Sequence, residues 1–269
     1  CCRPAACGRG SGGDEMVGKD LIMATLFGSG GGSSGSGGGE GEISPLDALI
    51  DGTITEISNE TVKMIYAYAF KGRSHLIKAE FPAVNQIGTY AFSYCNELED
   101  VHFPAASIVN DYAFENCSGL VTIALPDLTY PGLGTFRYCT ELKRANMGAV
   151  TAIKGNTFAS CYNLVSVIMR AETTATLAST NAFSQCYHIL GKVNATYNPD
   201  GLADGYIYVP RAIVDTYKAA TNWSTYADQF RALEDYTVDG TITGEIDESK
   251  IKPYEGVEIV NDLKEFKKN

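Results

Sequence analysis

Five cysteines are the first residues that could do chemistry. Cys95, Cys117, Cys139 and Cys161 fall 22 residues apart, and Cys186 follows after 25. Thiols can hold zinc, form disulfides or attack carbonyl carbons. A zinc site pairs its cysteines two to four residues apart, and no two of these five are so spaced. One cysteine at one place in each unit reads instead as a reduced ladder inside a core, where a free thiol behaves as a small hydrophobe. Adjacent rungs could come within disulfide range, but identical side chains on parallel coils need not face one another. An intracellular origin would keep them reduced.

Three histidines, His75, His102 and His188, offer bases or metal ligands. His75 and His188 occupy the same place in units far apart in the chain. Neither is accompanied by a nucleophile and an orienting partner. Gly28 to Gly39 is almost all Gly and Ser. It lacks the Gly-Lys-Ser/Thr ending and the preceding strand of a phosphate loop, and reads as a flexible linker. Asp235, Asp239, Glu245, Asp247 and Glu248 could hold calcium, but their spacing misses an EF-hand loop and a solvated acidic tail is the simpler reading. No residue is assigned to catalysis, metal or cofactor, and the expectation is a protein that is not an enzyme.

The elements that would position these residues are repeats. Phe70, Phe92, Phe114, Phe136 and Phe158 recur every 22 residues, and Phe183 follows after 25. The cysteines stand three residues after each Phe from the second unit onward. Leu76, Leu98, Leu120, Leu142 and Leu164 stand six after, with Ile189 in the last unit. Phe81, Phe103, Leu125, Met147 and Met169 stand eleven after, and Pro82, Pro104 and Pro126 follow the first three of these. Ile54, Ile57, Val62 and Ile65 extend the register backwards, so a degenerate capping unit spans about 49–70. One such unit cannot bury its apolar face alone, and stacked units share a continuous core.

Within a unit, Tyr90–Cys95 suits a single helical or 3₁₀ turn. Asn96, Ser118 and Thr140 can bond nearby backbone and turn the chain. Leu98–Phe103 alternates toward its end and predicts a short strand, which Pro104 stops. The expected fold is a solenoid with one short parallel strand per coil, the strands about 4.8 Å apart. Residues eight and ten after each Phe should point outward. Lys78, Glu80, Asp100, His102, Thr122, Arg144, Asn146 and Ser166 form the candidate binding face, with Ala124 and Ile168 in the same rows. They differ from coil to coil while the inward positions repeat. Tyr68, Tyr90 and Tyr112 recur two residues before Phe and read as a ladder. Tyr94 and Tyr138, two residues after, read as exposed residues suited to recognition.

At the C-terminal end, Tyr206–Val209 reads as a last strand and Pro210 as the opening of a helix. Ile213, Val214, Tyr217 and Lys218 would give one helical face, and Trp223 and Tyr226 would fold over the open end of the stack. The tail, 237–269, is charged, with a short helix expected near 257–267, and should be mobile or weakly docked.

The unit AF..C..L..V.FP resembles the BspA-type leucine-rich repeat, found in bacterial surface proteins, some eukaryotic microbes and phage tail-associated proteins. The resemblance covers roughly 49–190. The cap at 206–236, with TVDGTITGEID after it, resembles the end of repeat proteins encoded by phages and prophages of gut Gram-positive bacteria. The layout read from the sequence is 1–15 as non-native or upstream-translated sequence, with Cys1, Cys2 and Cys7 as a disulfide or metal segment in the rival reading. Residues 16–27 follow as a short apolar anchor and 28–43 as a linker. The solenoid is expected over 44–199, the cap over 200–236 and the tail over 237–269. The resemblance implies a binding or structural module of a phage tail, located in the virion or in the cytoplasm before lysis. It would attach to a cell-surface protein or glycan, and to other virion proteins through its N-terminal segment. The alternative is an adhesin on the bacterial cell surface that binds host protein or glycan.

Composition narrows the partners. The net charge is -11, which opposes nucleic-acid binding, where affinity rests on Lys and Arg against phosphate. No apolar run approaches the roughly 20 residues of a membrane-spanning helix. Leu21–Phe27 matches a signal peptide poorly.

Overall fold

The computed structural model describes residues 54–236. The expected segments 1–15, 16–27 and 28–43, the first residues of the capping unit and the tail 237–269 lie outside the described residues.

The described chain is a repeat solenoid of parallel coils. Strands β1 (Glu56–Ser58), β3 (Lys78–Glu80) and β5 (Asp100–His102) form one sheet. Strands β7 (Thr122–Leu125), β9 (Arg144–Met147), β11 (Ser166–Met169), β13 (Tyr206–Val209) and β14 (Phe230–Ala232) form a second. All pairs are parallel, and the 22-residue period of the sequence is the register: Glu56 pairs with Lys78, Lys78 with Asp100, and Thr122 with Arg144.

Each coil carries a further short strand where the sequence predicts only one. Met64–Ile65, Gln86–Ile87, Ile108–Val109 and Tyr130–Pro131 are β2, β4, β6 and β8, and Ala152–Ile153 and Thr176–Leu177 are β10 and β12. In each pair the second residue is buried. Two residues are too few to show an alternating pattern, so this ladder is invisible to periodicity. Pro131, which has no N–H, stands in the edge strand of its sheet, where proline is tolerated.

The segment Tyr90–Cys95 is not a helical turn. The N–H groups of Ala91, Ser93 and Cys95 donate within the coil to Gly88, Tyr90 and Phe92. Those of Tyr90, Phe92 and Tyr94 donate across to Asp111, Ala113 and Glu115 of the next coil, at 3.1, 2.8 and 2.9 Å. Every second N–H thus joins two coils, which no helix permits. The alternation needs left-handed backbone at two places per coil, as at Tyr90 (φ 56°) and Tyr94 (φ 63°). That conformation costs a non-glycine residue about 1–2 kcal/mol, and the bonds between coils offset it.

Phenylalanine rings form the core rungs. Centroids lie 5.1 Å apart for Phe70–Phe92, 5.2 Å for Phe92–Phe114, 5.8 Å for Phe114–Phe136 and 5.5 Å for both Phe136–Phe158 and Phe158–Phe183. Leu76, Leu98, Leu120, Leu142 and Leu164 are fully buried beside them.

The sixth unit leaves the pattern. Helix α1 (Tyr187–Leu190) stands where the preceding coil turns before its strand, and ends at Gly191, whose φ of 58° suits a residue without Cβ. The chain rejoins the sheet at β13, next to β11. Tyr206–Val209 is not the last strand, because β14 pairs beyond it. Pro210 precedes a 3₁₀ turn at Arg211–Ile213, and helix α2 (Val214–Ala219) follows that turn. Of the expected helical face only Tyr217 is fully buried; Lys218 is exposed. Trp223 and Tyr226 do close the stack. Trp223 Nε1 donates to Ala175 O at 2.7 Å and Tyr226 Oη to Thr180 O at 2.7 Å. Their rings lie 6.0 and 5.2 Å from Phe183, the last rung.

Candidate functional site

The outward row of the strands is polar at its N-terminal end. Lys78 Nζ lies 2.8 Å from Glu80 and 3.6 Å from Asp100 of the next coil. The hydrogen bond to Glu80 raises the Lys78 pKa above its ordinary value against an opposing desolvation, with the charges of Glu80, Asp100 and Glu56 adding to the rise. His102, Thr122, Ala124 and Arg144 are half-buried. Farther along, the row differs from expectation: Asn146, Ser166 and Ile168 are each only 1% exposed. A period of two sets the direction of a side chain, not whether its neighbours leave it exposed. In register, Ser166 falls between Arg144 and Tyr206, and Ile168 between Asn146 and Tyr208. Asn146 Oδ1 and Ser166 Oγ have no hydrogen-bond partner among the described residues. The accessible part of the candidate face therefore runs from Lys78 to Arg144.

The cysteines line the core as thiols. Each donates from Sγ to the phenylalanine carbonyl of the preceding coil: Cys95 to Phe70, Cys117 to Phe92, Cys139 to Phe114 and Cys161 to Phe136 at 3.1 Å, and Cys186 to Phe158 at 3.0 Å. All five are free. The thiol is thus a spacer and a weak donor between coils. Burial pushes Cys95 and Cys139 from the ordinary 9.0 up to about 12, and raises Cys117, Cys161 and Cys186 as well. The reactive thiolate is suppressed accordingly. At neutral pH these five of the eight thiols should stay unreactive toward a disulfide reagent until the protein is denatured. Labelling of any of them in the folded protein, mapped by mass spectrometry, would contradict this. A raised folded pKa has a defined sign: between about 9 and 12 the unfolded chain releases thiol protons that the native state keeps. The thiols therefore leave stability unchanged below pH 9 and lower it progressively above.

The remaining candidates scatter. His75 is exposed, 3.6 Å from Glu97. His188 Nδ1 lies 2.7 Å from Asp204 Oδ1, ties α1 to the returning loop, and is nearly buried. Asp235 pairs with Arg211, and Glu234 accepts a hydrogen bond from the Arg211 N–H at 2.7 Å. Asp239, Glu245, Asp247 and Glu248 lie outside the described residues. Among the described residues no three His, Cys, Asp or Glu side chains converge as a metal site. No described helix is long and apolar enough to cross a membrane.

A second surface lies along the turn edge. Tyr68, Tyr90 and Tyr112 stack at 5.5 and 5.0 Å. The ladder stops at Gly134, where a Cβ would come within 2.5 Å of the Tyr112 ring. Tyr94 and Tyr138 are exposed as expected. The residue after each Phe adds a polar column that sequence reasoning passed over: Lys71, Ser93, Glu115 and Arg137. Its signal is a position that changes type in every coil beside an invariant one.

Residues 63–190 match the family model described as the BspA type leucine rich repeat region, in six copies. No curated protein matches the chain. Three solved structures are similar. A leucine rich cell surface protein from Faecalibacterium prausnitzii A2-165 is 26% identical with a TM-score of 0.46, over 58% of this chain and 39% of that one. A leucine rich repeat protein of T. pallidum is 20% identical with a TM-score of 0.40, over 55% and 80%. The pneumococcal vaccine antigen PcpA is 15% identical with a TM-score of 0.46, over 66% and 40%. This chain thus spans well under half of the Faecalibacterium and pneumococcal proteins. With the 22-residue coil, its phenylalanine rungs and its strand register in place, residues 63–190 have a leucine-rich-repeat fold and are similar to the BspA type leucine rich repeat family.

Proposed function

We propose that the protein is a non-enzymatic binding module that presents the outer strand row of its solenoid to a protein or glycan at a cell surface. The observation that carries this reading is the contrast between positions. The core rungs repeat in every coil, whereas the accessible outward row reads Lys78 and Glu80, Asp100 and His102, Thr122 and Ala124, then Arg144. A row of unlike side chains at fixed coil spacing is a surface that one partner can match and others cannot. A virion-borne role in attachment and an adhesin role in host binding both use this surface.

Full-length labelled protein should bind intact Gram-positive cells, or immobilised host matrix protein, saturably. The double substitution Glu80→Lys/Asp100→Lys should weaken binding at least tenfold, with circular dichroism showing that the variant, which loses both Lys78 ion pairs, is still folded. Unchanged binding by that variant would remove the strand row from the function, and no saturable binding to either surface would remove the module reading. The two roles separate by fractionation. The tryptic peptide Ala219–Arg231 should co-purify with virions from an induced culture if the protein is a tail component, and with washed cell envelopes if it is an adhesin.

A further inference from the structure

The outer strand face divides into two halves of unlike charge. From β1 to β5 its outward positions hold Glu56, Glu80 and Asp100 against Lys78. From β9 to β14 the same positions hold Arg144 and Arg231 and no acidic residue. Arg170, two residues after Ile168, adds a third guanidinium along the same face. Arg231 lies over the Tyr206 ring, 4.3 Å from its centroid. All three arginines are half-buried.

Between these arginines the face is covered. Asn146, Ser166, Ile168 and Tyr208 are buried, although they point away from the core. Side chains on one face of a sheet stand side by side, so they shield each other's flanks and leave their outer ends open. On its β7 side Asn146 adjoins the diagonal of Ala124 and Leu125, and Ala124 is too small to reach over it. Burial also lowers the Arg170 pKa below its ordinary value. Asn146 Oδ1 and Ser166 Oγ have no hydrogen-bond partner among the described residues. Buried polar atoms in native proteins are nearly always paired, so this half of the face calls for a cover that carries donors.

The chain itself offers one. The described fold ends at Tyr236, one 3₁₀ turn past β14, which is the edge strand of this sheet. Residues 237–249 then carry Asp239, Glu245, Asp247 and Glu248 and no Lys or Arg. Ile242 and Ile246 in the same segment are apolar partners suited to Ile168 and Tyr208. From β14 to β9 is three strand spacings, about 14 Å. The nine residues from Tyr236 to Glu245 reach about 30 Å when extended. We propose that residues 237–249 lie as a strap across the outer face of β13, β11 and β9, with their carboxylates on Arg144, Arg170 and Arg231 and their backbone N–H groups over Asn146 and Ser166. The acidic half from β1 to β5 repels the same segment, so charge selects the half that the strap covers. Arg144 then becomes the last residue of the row open to a partner. That consequence rests on the binding-module reading; the docking of the strap does not.

Hydrogen exchange of the full chain, read by mass spectrometry, tests it. Amides of 237–249 should exchange about tenfold or more slower than those of a synthetic peptide of the same residues. The triple substitution Glu245→Lys/Asp247→Lys/Glu248→Lys alters no residue of the described fold, and should return exchange to the rate of the peptide. Arg144→Glu/Arg231→Glu, with folding checked by circular dichroism, should do the same from the other side of the contact. Exchange at the peptide rate in the wild type, or protection that survives the triple substitution, would each overturn the proposal. Protection that is lost on dilution, with a dimer seen in sedimentation, would also overturn it and assign the face to a second copy of the chain. Absence of binding to cells or matrix protein removes the module reading and leaves the strap in place, whereas free exchange of 237–249 removes the strap and leaves the module reading.

Discussion

Trp223→Ala is expected to destabilise the protein by about 3–5 kcal/mol and to unravel the array from its C-terminal end. Trp223 is the one tryptophan in the chain and is fully buried. It meets Phe183 at 6.0 Å, Tyr217 at 5.4 Å and Phe230 at 5.6 Å, the last two edge-on. Truncation removes these contacts, opens a cavity above the last rung and leaves the Ala175 carbonyl without its donor. Tyr217 Oη accepts from Ala175 N–H at 2.9 Å nearby, so two cap residues lose support together. In a repeat array stability is nearly a sum over units and their interfaces. Damage to the cap should therefore spread into the last coils first. A urea melt followed by circular dichroism should show an earlier, broadened transition. A single transition within about 0.5 kcal/mol of wild type, the range of neutral surface changes, would mean that the cap does not hold the stack closed.

Leu120→Ala should cost about 2–5 kcal/mol by a different route. Leu120 is fully buried in a central coil, with Leu98 and Leu142 at the equivalent positions on either side. The cavity weakens both interfaces of that coil, and no end is released. The expected melt is one cooperative transition moved to lower urea with its slope preserved. An unmoved midpoint would contradict the rung assignment for this position. The two variants thus separate two sources of stability, closure of an end and continuity of the middle.

Much of this was legible because a repeat states each constraint several times. Phe, Cys and Leu recur at one spacing, and a side chain that must fit between identical neighbours at the coil spacing has few alternatives. The spacing of 22 residues reappears as the strand register from Glu56 to Asp100 in one sheet and from Thr122 to Ser166 in the other. The inward role of the cysteines was readable for the same reason. Their hydrogen bonds to the preceding coil were not, since direction depends on the backbone between rungs.

The turn edge was misjudged because local propensity competes there with contacts between coils. Tyr90–Cys95 looks helical in isolation, yet half of its N–H groups bond to the next coil. Left-handed tyrosines are unfavourable in a lone chain and acceptable in a stack, so only the assembled array makes the conformation reasonable. The strand β14 was missed for a related reason. Three residues become a strand when an open sheet edge is offered to them, and nothing in Phe230–Ala232 announces that edge.

Inward identity therefore resides in the chain itself: repeated apolar types at a constant period leave one way to bury them, and they specify coil length, register and core. Accessibility does not. Lys78 and Asn146 hold the same kind of outward position in sequence, but the first is half-exposed and the second is buried. Outward exposure depends on what neighbouring strands and the returning chain place beside a residue, and those neighbours are brought together only by the tertiary fold.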